Sequence, residues 1–254
     1  MLPAERRQTI LEIIQEQGSA TVEQLIEVTG TSQCTIRRDL DKLAATGLVS
    51  RTHGGAVLNK ESTSFEHLYS EKRALNLAEK RRIGKVAAEM VVDGESLILD
   101  SGSTTLEIAR NLTNKKNLTI ITNDLMIATE IQYDPTTEVM VTGGSLRPGF
   151  NVLCGAVAEA FLRTVNVNKA FISGDAIDLA RGLTNANFAE AALKSLMTAA
   201  ARKVYLVLDH SKFGKTSLAR VQGIDAFDAI ITDNGLSSEH QELLERLGIQ
   251  YHLA

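Results

Sequence analysis

The run Asp100-Ser101-Gly102-Ser103-Thr104-Thr105 places four hydroxyls, one glycine and one carboxylate in six residues. It follows an apolar stretch at 96–100 that reads as a strand, and it opens a segment at 104–112 that reads as a helix. A small-residue loop at such a junction offers clustered amides and hydroxyls, and the helix dipole adds partial positive charge. That chemistry suits a phosphate or another anion. The run is not a Walker loop, because no Gly-Lys-Ser/Thr follows. It also lacks the Gly-x-Gly-x-x-Gly spacing of the dinucleotide fingerprint.

Other polar groups fall where apolar runs end. They are Thr122-Asn123-Asp124, Thr142-Gly143-Gly144 with Arg147, Ser173-Gly174-Asp175 with Asp178, and Asp209-His210-Ser211-Lys212. In an open α/β sheet ligands collect outside the carboxyl ends of the strands, so these groups point to one crevice. Each also has a local reading. Asn123 and Asp124 suit a helix cap, Gly143-Gly144 a turn, and Lys212 a solvated charge.

A second cluster lies near the amino end. Ser32-Gln33-Cys34-Thr35-Ile36-Arg37-Arg38-Asp39-Leu40 reads as a helix anchored by Ile36 and Leu40. Ser32, Gln33, Thr35 and Arg38 are then free to meet base edges and phosphates in a DNA major groove. Arg51 and His53 belong to a following hairpin, within reach of the flanking backbone. The plainer alternative is a solvated face on which Arg37, Arg38 and Lys42 pair with Asp39 and Asp41.

These residues need elements to hold them. Ile10, Ile13 and Ile14 stripe a helix that starts near Pro3, with Gly18 just past its end. Val22, Leu25 and Ile26 stripe a second helix from about Thr21 to Gly30. Thr31 or Ser32 can cap the third helix, whose buried stripe is Ile36, Leu40 and Leu43 and whose end is Gly47. The stretches 48–52 and 56–58 flank His53-Gly54-Gly55 as a hairpin. Three helices and a hairpin make a winged helix-turn-helix over residues 1–58. Residues 59–79 are polar and read as a linker with a helix at its end. From 80 to 254, strand-like runs at 96–100, 118–122, 139–142, 170–173, 204–209 and 229–232 alternate with helical stretches. That alternation predicts a doubly wound, mostly parallel α/β domain.

Composition narrows the class. The net charge is −4, and residues 1–55 hold six basic against seven acidic side chains. DNA binding would therefore rest on local clusters rather than on a basic domain. No apolar run spans a membrane and no signal peptide is legible, so a cytoplasmic protein with no membrane contact is expected. Two cysteines, Cys34 and Cys154, and five scattered histidines show no ligand spacing. Neither a metal nor a cofactor is expected.

The ordered set Arg6, Ile10, Ile14, Ser32 and Thr35-Ile36-Arg37-Arg38-Asp39-Leu40, followed by Gly54-Gly55, resembles bacterial transcriptional regulators of the DeoR type. The likeness continues through Asp100 to Thr105, Thr122-Asn123, Thr142-Gly143-Gly144, Asp175-Ala176-Ile177-Asp178, Gly182 with Thr184, Asn187 and Glu190, and Ser211-Lys212-Phe213-Gly214. The resemblance implies that Thr35, Arg37 and Arg38 lie at double-stranded operator DNA. It implies an effector domain folded like ribose-phosphate isomerases and amino-sugar-phosphate deaminases. Ser101, Ser103, Thr104 and Thr105 would then hold a phosphate, Lys212 would help neutralise it, and Asp175, Asp178 and Glu190 would face sugar hydroxyls. Ser173, Ala176, Phe188-Ala189 and His210 depart from the family pattern around the sugar end.

The implied function is a repressor of a carbohydrate catabolic operon, released by a phosphorylated sugar or sugar acid and paired as a dimer or tetramer to match a two-fold operator. An enzyme using a carboxylate as base is the competing reading, although an isomerase has no need of the N-terminal module. A constitutive DNA binder with a vestigial crevice is the third.

Overall fold

The computed structural model describes residues 2–45, 49–59 and 62–254, in two compact units that meet between Leu68 and Tyr69. The division falls inside the segment 59–79 expected as linker. Gly47 and Leu48, expected to end the third helix and begin the hairpin, lie outside the described residues.

The N-terminal unit runs α1 (Pro3–Gln17), β1 (Ser19–Thr21), α2 (Val22–Thr29), α3 (Gln33–Ala45), β2 (Val49–Arg51) and β3 (Gly55–Leu58). Thr21 and Gln24 form a reciprocal capping box at the start of α2, and Gly30 ends it in the left-handed region. Ile10, Ile14, Leu25, Ile36 and Leu40 are fully buried, so the three helical stripes meet in one core. The wing is a three-stranded antiparallel sheet with β3 in the middle. Its third strand, β1, was not legible, because three residues carry no alternation to read. β1 explains Gly55. A Cβ there would sit 2.0 Å from the Ala20 carbonyl oxygen.

The C-terminal unit begins with α4 (Tyr69–Ala74) and α5 (Leu77–Glu89), then β4 (Ser96–Leu99), α6 (Ser103–Arg110), β5 (Thr119–Thr122), α7 (Leu125–Glu130) and β6 (Glu138–Val141). A hairpin of β7 (Ser145–Arg147) and β8 (Val152–Cys154) leads to α8 (Ala156–Leu162) and β9 (Val167–Ile172). Next come β10 (Ala176–Asp178), β11 (Gly182–Asn185), α9 (Phe188–Ala199), β12 (Ala201–Val207) and β13 (Ala219–Gln222). β14 (Ala229–Thr232), α10 (Ser238–Arg246) and β15 (Tyr251–Leu253) complete it.

Seven parallel strands form the main sheet in the order β15-β14-β12-β9-β4-β5-β6. All six expected strands are in it. Side chains alternate between its faces. Ile98, Ala170, Ile172, Leu206 and Ile230 join one core cluster, while Leu97, Leu99, Phe171, Val207 and Ile231 join the other. α5 and α6 cross closely over the second face, where a Cβ on Gly84 would lie 2.6 Å from the Glu107 carbonyl carbon. β10, β11 and β13 form a separate antiparallel sheet, inserted between strands of the main one.

The chain leaves β4 toward β5 and β6, then returns to the other side of β4 as β9. The order of winding therefore reverses between β4 and β9. A doubly wound sheet parts its loops at such a point and leaves a crevice there.

Candidate functional site

Of the DNA-reading candidates, Ser32, Gln33, Arg37 and Arg38 are exposed on or just before α3, and Thr35 is half-buried. The Ser32 and Thr35 hydroxyls lie 3.1 Å apart. Asp39 does not pair with Arg37 or Arg38. It is buried, accepts from Arg6 Nε at 2.6 Å, and lies 3.6 Å from Arg7, both on α1. Asp41 pairs instead with Arg51 at 3.0 Å. Among the described residues neither Arg37 nor Arg38 has an ion-pair partner, so two guanidinium groups remain available on the exposed face. Arg51 also donates to the Gly55 carbonyl at 3.0 Å, which braces the wing, and His53 is exposed at its tip.

The crevice between β4 and β9 is lined by Ser101, Gly102, Ser103, Thr104, Ser173, Gly174, Asp175, Asn185, Glu190 and four lysines: Lys72, Lys80, Lys194 and Lys212. Gly102 is the N-cap of α6 and brings no side chain to it, so the first-turn amides are uncapped. Its own N–H donates to Asp124 at 3.0 Å. The Ser103 hydroxyl donates to the Lys72 carbonyl at 3.1 Å.

The charges are arranged in layers. Asp100, fully buried at the end of β4, accepts from the Ser173 amide at 2.9 Å and pairs with Lys194 of α9. Asp175 pairs with Lys72 of α4 at 2.9 Å and accepts from the Ala186 amide at 2.9 Å. Burial pushes the Asp175 carboxyl up, but Lys72, the Ala186 amide and Lys212 outweigh it and hold the pKa at about 2. Glu190 pairs with Arg147 of β7 and accepts from Asn185 at 3.2 Å. Arg147 also stacks on Phe150, 4.2 Å from the ring centroid. Lys80 donates to the Lys72 and Leu75 carbonyls, and burial lowers its pKa to about 8 against the pull of Asp209. Burial likewise lowers Lys212, with Asp175 opposing. Among the described residues, Lys80 and Lys212 are the crevice lysines without a carboxylate in salt-bridge contact.

Several expected residues stand behind the wall rather than on it. Asp124 caps α7 through the Met126 amide at 2.7 Å and the Ile127 amide at 3.3 Å, and burial raises its pKa to about 6. Asn123 is buried and donates to the Leu153 carbonyl at 3.3 Å. Thr105 turns its hydroxyl onto the Gly102 carbonyl at 2.8 Å. Gly144 permits a close approach, since a Cβ there would lie 2.5 Å from the Cys154 carbonyl oxygen. Asp178 accepts from the Ala180 and Arg181 amides at 3.0 and 2.9 Å and closes the β10–β11 turn. Of the departures from the family pattern, Ser173 lines the crevice. Ala176 is buried in β10, Phe188 is 67% exposed on α9, and His210 pairs with Asp233 at 2.8 Å.

Lys72, Lys80 and Lys194 were not anticipated. Lys80 and Lys194 had a legible signal, because each falls on the apolar stripe of its helix, three residues from Ile83 and from Ala191 and Met197. A wider hollow at the amino ends of the strands is bordered by Lys203, Asp228 and His252. There Lys203 and Asp228 already pair at 2.7 Å. Among the described residues no cluster of three or more His, Cys, Asp or Glu is placed to hold a metal, and no helix is long and apolar enough to cross a membrane.

Comparison with known proteins matches residues 6–62 to the DeoR-like helix-turn-helix domain and residues 75–234 to the DeoR C terminal sensor domain. The chain is 38% identical over 249 residues to the HTH-type transcriptional regulator GlpR of Haloferax volcanii, covering 98% of this chain and 97% of that one. It is 31% identical over 254 residues to the HTH-type transcriptional regulator GolR of Listeria innocua, covering both chains fully. It is 33% identical over 251 residues to the transcriptional repressor AccR of Agrobacterium fabrum, covering 98% and 96%. Among solved structures, a ribose 5-phosphate isomerase from Plasmodium falciparum overlaps 54% of this chain and 52% of its own at 15% identity and a TM-score of 0.38. The relatives are regulators rather than enzymes, and both family models match in order along one chain; the protein is a DNA-binding transcriptional regulator of the DeoR family.

Proposed function

We propose that this regulator is a repressor whose C-terminal unit senses a small phosphorylated sugar-like metabolite in the β4–β9 crevice. The observation that carries the reading is the meeting of an uncapped α6 with two ammonium groups, Lys80 and Lys212, that lack a carboxylate partner. Such a pocket holds an anion that brings the missing negative charge. Asp175, Glu190 and Asn185 border the same space and suit hydroxyl groups. Among the described residues no aromatic or large apolar side chain lines it, which favours a polyhydroxylated ligand over a nucleotide base. In this reading the ligand touches Ser101, Ser103, Thr104, Asp175, Glu190 and Lys212 directly, while Asp100, Asp124 and Arg147 position them.

In the same reading α3 enters the major groove with Ser32, Gln33, Thr35, Arg37 and Arg38, and Arg51 and His53 reach the flanking phosphates. Two copies of the chain would place two such helices on a two-fold operator. The test is fluorescence anisotropy on DNA upstream of the protein's own and neighbouring genes, titrated with sugar phosphates and their unphosphorylated parents. Release by a phosphorylated compound alone is the expected result. Release by a parent sugar would overturn the phosphate reading. Tight binding indifferent to every compound would leave a constitutive DNA binder.

A further inference from the structure

The Lys72 carbonyl accepts two hydrogen bonds from the crevice wall, one from the Ser103 hydroxyl at the start of α6 and one from Lys80. Lys80 also holds the Leu75 carbonyl. Lys72 lies in the last turn of α4, where a helix leaves its acceptors without internal partners, and Leu75 immediately follows that turn. α4 has six residues, too few to persist on propensity alone. Asn76 then takes a left-handed conformation, with φ at 50°, and breaks the chain direction before α5. Lys80 thus reaches back from α5 to cap α4. It is 4% exposed and lines the space in front of α6. α4 starts at Tyr69, the first residue of the C-terminal unit, so it is where the chain enters from the DNA-binding unit.

We propose that Lys80 and Ser103 couple anion binding to the order of α4. The coupling rests on the reading that a phosphate sits at the start of α6. Lys80 has three N–H donors, and two are engaged by neutral carbonyls. A phosphate oxygen is the stronger acceptor for an ammonium. The empty state favours Lys80 on α4, and the occupied state favours Lys80 on the anion. Each state has its own contacts, as a ligand-driven equilibrium requires. When Lys80 and Ser103 turn to the anion, the last carbonyls of α4 lose their cap and the helix frays at the entry to the unit.

The experiment is hydrogen exchange followed by mass spectrometry on the full chain, with and without inorganic phosphate. Phosphate is expected to slow exchange in the segment 101–106 and to speed it several-fold in the segment 69–76. In Lys80→Met, exchange in 69–76 should be fast from the start and indifferent to phosphate. Ser103→Ala, a smaller change, should raise the basal exchange of 69–76 part of the way. Protection of 101–106 with 69–76 unmoved in the unaltered chain would overturn the coupling and leave the anion site standing. A 69–76 segment in Lys80→Met that stays slow and still responds to phosphate would also overturn it. No response to phosphate in either segment would overturn the anion site itself.

Discussion

Asp39 accepts from Arg6 at 2.6 Å and is almost wholly buried, so its carboxylate ties α1 to α3. Asp39→Ala should cost about 2 kcal/mol, the scale of a charge-assisted bond whose partner is left unpaired, read as a shift of the urea midpoint. Arg37→Ala, a neighbour facing solvent, should stay within about 0.5 kcal/mol of the parent and lose DNA affinity instead. If Arg38 meets a phosphate, Arg38→Ala should weaken binding to all sequences and lower the salt slope by about one. Unchanged affinity and slope would remove Arg38 from the interface. The Asp100–Lys194 pair is buried on both sides. Lys194→Met should therefore cost about 3–5 kcal/mol, because it leaves a buried carboxylate uncompensated, and adding Asp100→Asn should recover part of the loss in thermal unfolding. In the proposed reading Lys80 must be charged to hold the anion. With its pKa lowered to about 8 by burial, and with Asp209, Lys212, Lys72 and Glu107 around it, that charge is present below pH 8 and lost above it. Sulfate does not titrate in this range. Its affinity, measured by calorimetry, should fall as pH rises through 8; a flat profile to pH 10 would exclude a role for the Lys80 charge.

Glycine decides packing at two places. Gly55→Ala would push a Cβ against the Ala20 carbonyl and part β1 from β3. Gly84→Ala would press α5 off α6. Overpacking of this kind costs typically about 1–3 kcal/mol, and each effect should appear in the melting of its own unit and not of the other. The elements themselves were largely legible, because both units are built from amphipathic periods: three helical stripes in one, and alternating apolar runs and helices in the other. β1, β7, β8, β10, β11, β13 and β15 escaped, since three- or four-residue strands leave too short a period to count. The phosphate-loop candidates Ser101, Ser103 and Thr104 were legible from residue type at a strand end. Asp124 was legible only as ambiguous, because a carboxylate at a loop reads the same whether it caps a helix or faces a ligand, and here it caps α7, while Asp178, expected to face a ligand, accepts from amides of the β10–β11 turn. Lys80 was legible as a buried lysine on an apolar stripe, but nothing local in the sequence announces that α4, with Lys72, and α5 fold back over the start of α6.

The two units each hold a core of their own. A fragment of residues 69–254 is expected to fold and to show the same rise in melting temperature with phosphate as the full chain. A fragment that binds no phosphate while the full chain does would mean that the crevice needs the N-terminal unit. Within the C-terminal unit, the residues proposed to hold the anion and those proposed to face hydroxyls come from opposite sides of the winding reversal. Ser101, Ser103 and Thr104 follow β4, whereas Asp175, Asn185 and Glu190 come from the excursion after β9 that includes β10, β11 and α9. Asp100 fastens the two sides together. On the reading proposed above, the grip on the phosphate and the recognition of the rest of the ligand lie on separate stretches of chain. An excursion replaced as one piece would then change what is sensed and leave the grip on the phosphate as it is.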